Sequence, residues 1–316
     1  MPAPNPWVEA FAPATVSNLG PGFDCLGLAI EGLGDRVRAR RRDEPGAVVL
    51  SIEGDDGRLP KDPAKNTAAV AANHLLRVAG VDAGVELELS KGLPLGSGLG
   101  SSGASAVAAA VAVDAALQLG LPASTWIDAA REAEGVACGT AHPDNVAPSV
   151  LGGIVLITSI EPLRTIALPV PPDLWLALYT PGCEVATADA RAVLPKHVSL
   201  AATVQHASRL ALLVHALHKG DLALLGEAIV DDIVEPARAG LIPGYIDAKV
   251  ACVEAGALAC SISGAGPTTF ALAADESRAR AFAEIMDEAY TFANVPGRAH
   301  VSRVGRGAAL TSRPLH

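Results

Sequence analysis

The pattern of apolar and polar residues is clearest around a glycine-rich segment near residue 95. Apolar residues alternate with glutamates over 85–89, which predicts a β-strand with one buried face. Residues 66–79 instead carry apolar side chains at helical spacing and are followed by Gly80, so they predict a helix that ends there. An alanine-rich helix is predicted over 101–119. The glycine-rich segment therefore connects a strand to a helix.

Shorter segments of both kinds cover the rest of the chain. Further strands are predicted at 7–11, 36–40, 48–53, 153–158, 174–179, 260–263, 270–274 and 300–304. Further helices are predicted at 124–137, with Ser124 as its N-cap, and at 199–218, 221–230, 244–255 and 276–292. Strands and helices interleave in unequal numbers, which favours an α+β fold in both halves. The proline-rich residues 169–172 are the best linker, so we predict domains at 1–168 and 169–316.

Composition narrows the function classes. The chain has 316 residues, half of them hydrophobic, and a formal net charge of −10. Such a chain can bury a large core, and its acidic balance argues against a general nucleic-acid binder, which needs a basic face. No apolar run approaches the ~18 residues of a membrane span, and the N-terminus lacks the pattern of a signal peptide. We therefore expect a cytoplasmic protein that uses neither nucleic acid nor a membrane.

Cysteines and one basic run complete the general picture. Five cysteines, an odd number, occur without CxxC spacing, which predicts reduced thiols and no zinc site. They are Cys25, Cys138, Cys183, Cys252 and Cys260. Arg36, Arg38 and Arg40 alternate with apolar residues, as in a strand with one solvated face. A plain charged sheet face is favoured over an anion-binding patch.

The glycine-rich segment, PLGSGLGSSG at residues 94–103, is the most informative part of the chain. Glycines permit positive φ and leave room for a ligand, so successive main-chain N–H groups can face one anion. The start of a helix adds unpaired donors and a partial positive charge. These features predict a phosphate cradle rather than a glycine-rich hairpin without a ligand.

Other phosphate-binding patterns fit this segment less well. It contains GxGxxG, but several residues separate the strand from the first glycine, and no acidic residue ends a second strand about 20 residues on, as a dinucleotide fold requires. No Lys-Ser/Thr pair follows the glycines, which excludes a Walker A loop. The HRD and DFG motifs of protein kinases are also absent.

The string P-x-x-x-G-L-G-S-S resembles the phosphate loop of the GHMP small-molecule kinases, although Gly103 stands where alanine is commoner. Residues 13–27, PATVSNLGPGFDCLG, resemble the first motif of this superfamily in the form found in the homoserine kinase family. Residues 261–268, SISGAGPT, resemble its third, glycine-rich motif. Three motifs in the expected order, spread over most of the chain, make the resemblance strong.

The resemblance implies a fold, a reaction and a nucleotide site. The fold would join an N-terminal domain like ribosomal protein S5 domain 2 to a ferredoxin-like C-terminal domain. The reaction would be ATP-dependent phosphorylation of the side-chain hydroxyl of L-homoserine to O-phospho-L-homoserine, in threonine biosynthesis, by a homodimer. Mg²⁺ would be held by Ser102 and Glu134. The ATP-binding residues would be Asn66, Pro94, Leu95, Gly96, Ser97, Gly98, Leu99, Gly100, Ser101, Ser102, Gly103 and Ala104.

The resemblance also implies an amino-acid site. A zwitterion needs an acid for its ammonium and a guanidinium for its carboxylate. Family positions assign substrate binding to Asn18, Asp24, Asn145, Arg191 and Arg238, and help with direct transfer to Asn145 and Thr187.

Some roles stay open at this stage. Asp144 is either a general base or a carboxylate that structures its loop, and Asn66 is either a nucleotide ligand or a plain N-cap. For His142, beside Pro143, a structural role in the turn is favoured. The alternative functions are a kinase of this superfamily for another small alcohol and a non-catalytic ligand sensor.

Overall fold

The computed structural model describes residues 5–139 and 142–311, and strands in this part of the chain form two sheets. The first is a seven-stranded sheet with the order β11-β1-β2-β4-β3, in which β5 pairs with both β2 and β6. Its strands are β1 (Val8–Ser17), β2 (Leu26–Arg42), β3 (Gly46–Glu53), β4 (Gly84–Ser90), β5 (Ile154–Ile160), β6 (Leu163–Leu168) and β11 (Ala309–Leu310). The long strand β2 pairs with β5 near its start and with β4 near its end.

Helices cover one face of this sheet. They are α1 (Thr67–Ala79), α2 (Ser101–Leu117), α3 (Ala123–Cys138) and α4 (Val146–Leu151). Helix α2 contacts β1, β2, α1 and α3, and its residues are buried almost all round. Its many alanines permit this close approach, because a small side chain lets neighbouring elements pack near the helix axis. The start of α2 is therefore held firmly inside the domain.

The second sheet has four antiparallel strands in the order β10-β7-β9-β8. Its strands are β7 (Trp175–Pro181), β8 (Ala259–Ile262), β9 (Thr269–Ala273) and β10 (Gly297–Arg303). Its helices are α5 (Thr187–Ala192), α6 (Leu200–Lys219), α7 (Leu222–Ala228), α8 (Val234–Ala239), α9 (Tyr245–Glu254) and α10 (Glu276–Phe292). This strand order, with helices between β7 and β8 and between β9 and β10, is ferredoxin-like. The predicted two-domain α+β fold is confirmed.

None of the helices in the described ranges combines the length and the apolarity that a bilayer span requires.

The arginine-rich strand has the solvated face that its alternation predicts. Arg36, Arg38 and Arg40 form ion pairs with glutamates on the neighbouring strands. The guanidinium groups of Arg38 and Arg40 also lie 4.9 and 4.6 Å from the centre of the Trp7 ring. These contacts describe a charged outer sheet face whose cations already have partners.

Several details differ from the sequence predictions. Strand β1 continues through Pro13, beyond the predicted 7–11, because the pairing register with β2 shifts there and no ladder N–H is needed. Helix α3 has Pro122, not Ser124, at its N-cap.

Four free cysteines are seen, while the side chain of Cys138 lies outside the described residues. The domain boundary after residue 168 stays a prediction, and strand β11 returns from the C-terminal part to the first sheet.

A buried ion pair fixes the connection between β4 and α2. Lys91 and Asp35 contact each other with both side chains only 1% exposed. The Asp35 carboxylate also accepts hydrogen bonds from the N–H groups of Gly92 and Leu93, at 3.0 and 3.2 Å. Lys91 donates to the carbonyl of Ser101 at 2.9 Å, at the first residue of α2. The pair therefore fastens both ends of the glycine-rich segment.

Asp35→Ala is expected to lower the free energy of unfolding by about 3–5 kcal/mol, because it leaves the Lys91 ammonium buried without its counter-ion. Urea unfolding followed by circular dichroism measures this change. The double variant Asp35→Ala/Lys91→Met should recover part of the loss. Glu88→Gln, at an exposed pair, is the control and should change stability by less than about 1 kcal/mol. A loss for Asp35→Ala no larger than that of the control contradicts the role.

Candidate active site

A cleft of about 640 Å³ gathers residues from the first, second and third motifs. Most of the residues that the sequence nominates line it. They are Asn18, Asp24, Asn66, Leu95, Gly96, Ser97, Gly98, Gly100, Ser101, Ser102, Glu134, Asp144, Asn145, Thr187, Arg191 and Arg238. These residues come from positions up to 220 apart in the chain. One cavity therefore contains the proposed nucleotide, metal and amino-acid positions.

Four nominated residues do not line the cleft. Pro94 is exposed outside it, whereas Leu99 and Ala104 are 2% and 1% exposed and belong to the hydrophobic core. Gly103 lies in the first turn of α2, where a built Cβ would be 3.4 Å from the Val146 side chain. An alanine at that position would fit, so the departure from the family pattern leaves the backbone unchanged.

The glycine-rich segment has the backbone conformation that the sequence predicts. Gly96, Gly98 and Gly100 have φ values of 62°, 78° and 68°, in the left-handed region. A Cβ on Gly98 would lie 2.4 Å from the carbonyl oxygen of Ser263, and one on Gly100 would lie 2.4 Å from Oγ1 of Thr15. Both the conformation and the space exclude larger residues. Here the other two motifs approach the loop closely.

The carbonyl oxygens of this loop are bound to the other motifs. Leu99 O accepts from the Thr15 N–H at 3.1 Å, Ser97 O from the Thr268 N–H at 3.0 Å, and Gly98 O from Oγ of Ser263 at 2.7 Å. Within the described residues, the N–H groups of 96–103 donate to no protein acceptor. Gly100 caps α2 without a side-chain hydrogen bond. Free amides at the start of a helix form an anion site.

A partly buried acidic group lies beside the anion site. Oε1 of Glu134 is buried without a hydrogen-bond partner, and a Cβ on Gly103 would lie 3.9 Å from its carboxyl carbon. Burial raises the pKa of Glu134 to about 7, and the hydroxyl of Ser102 acts in the opposite direction. Burial, followed by the nearby Asp24, raises the pKa of Asp144 to about 6.

These groups fit a hard divalent cation. In the part of the chain that the structure describes, no group of three or more His, Cys, Asp or Glu side chains forms a metal cage. Mg²⁺ commonly uses one or two protein oxygens together with phosphate oxygens and water. Glu134 has an unpaired buried oxygen, and Ser102 supplies a hydroxyl beside it. Both donors are therefore suited to such an ion next to bound phosphates.

A second group of cleft residues combines an acid with two arginines. Asp24 accepts a bidentate pair of hydrogen bonds from Arg191, at 2.9 and 3.2 Å. Nε of Arg191 is buried and has no hydrogen-bond partner. Nδ1 of His142 lies 3.5 Å from Asp24, so this histidine belongs to the cleft as well as to its turn. The arrangement offers one negative and one positive group within a few ångströms of each other.

Arg238 supplies the second guanidinium of this group. It is 3% exposed and donates to the carbonyls of Ala190 and Gly264, at 3.1 and 2.7 Å. Burial, together with the nearby Arg191, lowers its pKa. Both guanidinium groups lie over the ring of Phe23, at 5.7 Å for Arg191 and 5.3 Å for Arg238. Two adjacent cations in a partly buried site favour an anionic ligand group.

The remaining nominated residues are held by their own chain. Asn18 donates to the Gly264 carbonyl at 3.0 Å and accepts from the Asp24 N–H at 3.1 Å. The amide oxygen of Asn145 accepts from the hydroxyl of Thr15 at 2.8 Å. Asn66 caps α1 by accepting from two main-chain N–H groups at its start. The N-cap interpretation of Asn66 is confirmed, and its contact with a nucleotide stays a prediction.

Sequence reasoning missed several residues of the site. Thr15 stands inside the first motif, yet only its contacts with Leu99 and Asn145 reveal what it does. Lys91 lies at the end of β4 and lines the cleft. Arg58 also lines this cavity and forms an ion pair with Glu184. Apart from the first motif itself, no sequence pattern predicted that Arg191 and Arg238 lie over the ring of Phe23.

Comparisons with known proteins agree with this geometry. Residues 66–153 match the family model of the GHMP kinase N-terminal domain, and residues 213–291 match that of the C-terminal domain. The chain is 42% identical over 295 residues to a homoserine kinase of Chlorobium phaeobacteroides, covering 90% of this chain and 92% of the relative. It is 44% identical over 290 residues to a homoserine kinase of Arabidopsis thaliana, covering 90% of this chain and 78% of the relative.

A solved structure extends this similarity to three dimensions. The homoserine kinase from Cytophaga hutchinsonii superimposes with a TM-score of 0.93 at 43% identity, covering 96% of this chain and 97% of that one. Sequence and structure both match over nearly the whole chain, including the three motifs that form the cleft. The chain belongs to the homoserine kinase family of the GHMP kinases.

Proposed function

We propose that this kinase transfers the γ-phosphoryl group of ATP to the side-chain hydroxyl of L-homoserine. The observation that carries the proposal is a single cleft that contains both free loop amides and an Asp–Arg pair. Free amides suit a triphosphate, and the charged pair suits the ammonium and carboxylate of an amino acid. The names of the relatives, all homoserine kinases, support the same substrate.

The nucleotide site acts by positioning and charge stabilisation. Phosphoryl transfer involves little covalent chemistry by the protein, so a cradle of N–H groups and cations serves it. The loop holds its amides toward the cleft because its carbonyls are bound to Thr15, Ser263 and Thr268. Lys91 stabilises the loop by donating a hydrogen bond to the Ser101 carbonyl, at the start of α2. ATP supplies the phosphoryl group, and the chain orients it.

Mg²⁺ is proposed as the divalent ion, with Ser102 and Glu134 as its protein ligands. The unpaired buried oxygen of Glu134 is the feature of this chain that supports it. When bound, such an ion neutralises charge on the phosphates. It would also offset the burial of the Glu134 carboxylate and favour its ionised form.

At the amino-acid site, Asp24 is proposed to bind the ammonium, while Arg191 and Arg238 bind the carboxylate. The unpaired Nε–H of Arg191 is available for that carboxylate. Asn18, Asn145 and Thr187 are proposed to orient the reacting hydroxyl and so raise its effective concentration. Asp144, with a pKa of about 6, is ionised at neutral pH and is proposed as the acceptor of the hydroxyl proton.

Three features of the proposed function rest on the resemblance alone. They are a role in threonine biosynthesis, a homodimeric state and a cytoplasmic location.

The substrate assignment is tested with a coupled assay of ADP release. L-homoserine should support turnover in the presence of Mg²⁺ and ATP, while mevalonate and galactose should give at most about 1% of that rate, because neither carries an ammonium for Asp24. Mass spectrometry should identify O-phospho-L-homoserine. Turnover of mevalonate or galactose without homoserine would point to another alcohol. No turnover of any alcohol, with ATP still bound, would point to a sensor.

Arg191→Ala should raise the KM for homoserine by about 30-fold or more and leave the KM for ATP within about threefold, because its proposed partner is the amino-acid carboxylate. Steady-state kinetics with each substrate varied in turn measures both constants. Arg209→Ala, at an ion pair outside the cleft whose arginine is about as exposed as Arg191, is the matched control. Equal increases in both KM values contradict the assignment.

Glu134→Gln should lower kcat by about 10- to 100-fold and shift the Mg²⁺ titration of activity to higher concentration, because the ion loses an anionic ligand. A second readout needs no metal. Burial raises the pKa of Glu134 from 4.5 to about 7, so the folded protein loses stability as the pH rises from about 4.5 through 7.

Metal-free Glu134→Gln should therefore be more stable than the parent at pH 8, by about 1–3 kcal/mol, and the difference should shrink toward pH 5. Thermal unfolding at both pH values checks this. An unchanged metal titration removes Glu134 from the metal site. A less stable variant at pH 8 contradicts the buried charge.

A further inference from the structure

An ion pair links Arg58, which lines the cleft, to Glu184 in the other domain. Arg58 donates to both carboxylate oxygens of Glu184, at 2.5 and 2.8 Å. Arg58 lies in the turn between β3 and α1, whereas Glu184 lies between β7 and α5. The Asp55 carboxylate builds this turn by accepting from the N–H groups of Gly57 and Leu59. These hydrogen bonds fix the main chain on both sides of Arg58.

Glu184 stands close to the phosphate loop. A Cβ on Gly96 would lie 3.6 Å from Cβ of Glu184 and 3.7 Å from its Oε2. The hydrogen bonds from Arg58 lower the pKa of Glu184, so the carboxylate is ionised at neutral pH. An ionised carboxylate beside an anion site disfavours anion binding. Arg58 neutralises it while the pair is intact.

The partner of Arg58, unlike that of the exposed cleft residue Lys65, stands beside Gly96 of the phosphate loop. Lys65 instead lies 4.0 Å from Asp62. The Arg58 and Glu184 side chains are 51% and 54% exposed. Both side chains are about half exposed, so water can solvate the two charges when the pair separates. A guanidinium binds phosphate with the same two-pronged geometry that it uses for a carboxylate.

We propose that Arg58 is a ligand of the nucleotide phosphates and that Glu184 is its competitor, which holds the guanidinium beside Gly96 until the phosphates replace the carboxylate. This inference rests on the proposed binding of ATP at the loop. Glu184 lowers the affinity for nucleotide, and Arg58 raises it. Because a diphosphate carries less charge than a triphosphate, Glu184 competes more effectively against ADP and favours product release.

Calorimetric titration of the full chain with the magnesium complex of a non-hydrolysable ATP analogue tests this exchange. Glu184→Gln keeps the shape but removes the competing charge, and should tighten binding about three- to tenfold. Arg58→Gln should weaken it about tenfold, the effect of losing a charged hydrogen bond. Glu276→Gln, at an exposed Arg–Glu pair on α10, is the matched control and should bind as the parent does.

Adenosine separates a phosphate ligand from a structural residue. It lacks phosphates, so both variants should bind it within about twofold of the parent. The proposal is overturned if Glu184→Gln leaves analogue binding unchanged or weaker. It is also overturned if Arg58→Gln weakens adenosine and the analogue equally, because the pair then only shapes the cleft. Failure of the parent to bind the analogue rejects ATP binding itself, a different result from normal parent binding with unresponsive variants.

Discussion

The direction of the main chain in the glycine-rich loop is the constraint on which the site depends. Its carbonyls are bound by Thr15, Ser263 and Thr268, so its N–H groups remain free for an anion. Glycine is required because the first and third motifs approach the loop closely enough to exclude a Cβ at Gly98 and Gly100. Three motifs that are distant in sequence thus form one unit through hydrogen bonds to each other. The phosphate cradle and the closeness of the two domains have the same cause.

The cleft contains buried charged groups of both signs, which suits it to charged ligands. Glu134 and Asp144 are carboxylates whose pKa values are raised by burial, and Arg238 is a guanidinium whose pKa is lowered by burial. Such groups are unfavourable in an empty protein, since burial disfavours the charged form of each. Ligands of opposite charge relieve this cost. Without its ligands, the cleft therefore carries an unfavourable electrostatic free energy that the apolar core around it does not. This is expected where a protein binds charged substrates.

Local sequence patterns predicted the strands and helices around the loop and the conformation of its glycines. The alternation of residues 85–89, the alanine-rich α2 and the glycines of the loop each reflect a neighbour-to-neighbour rule, and the structure confirms all three. Ion pairs between residues that are distant in the sequence could not be predicted from such local patterns. Asp35 is a lone acid next to an arginine run, and only the folded chain shows it buried against Lys91. Arg58 and Glu184 are 126 residues apart, and no spacing links them. The family resemblance nominated the motif residues but not these supports.

The Asp24–Arg191 pair explains how the amino-acid site can select a zwitterion. Each group already neutralises the other, with two hydrogen bonds and with side chains only about a quarter exposed. A ligand that carries only a carboxylate can engage Arg191, but it then leaves Asp24 with a weakened partner in a partly buried site. Leaving a buried charge unpaired costs more than the new contact contributes. An amino acid brings an ammonium and a carboxylate together, so it can separate the pair and satisfy both halves. Selectivity therefore arises from the interaction that the ligand must replace as much as from the contacts that it makes.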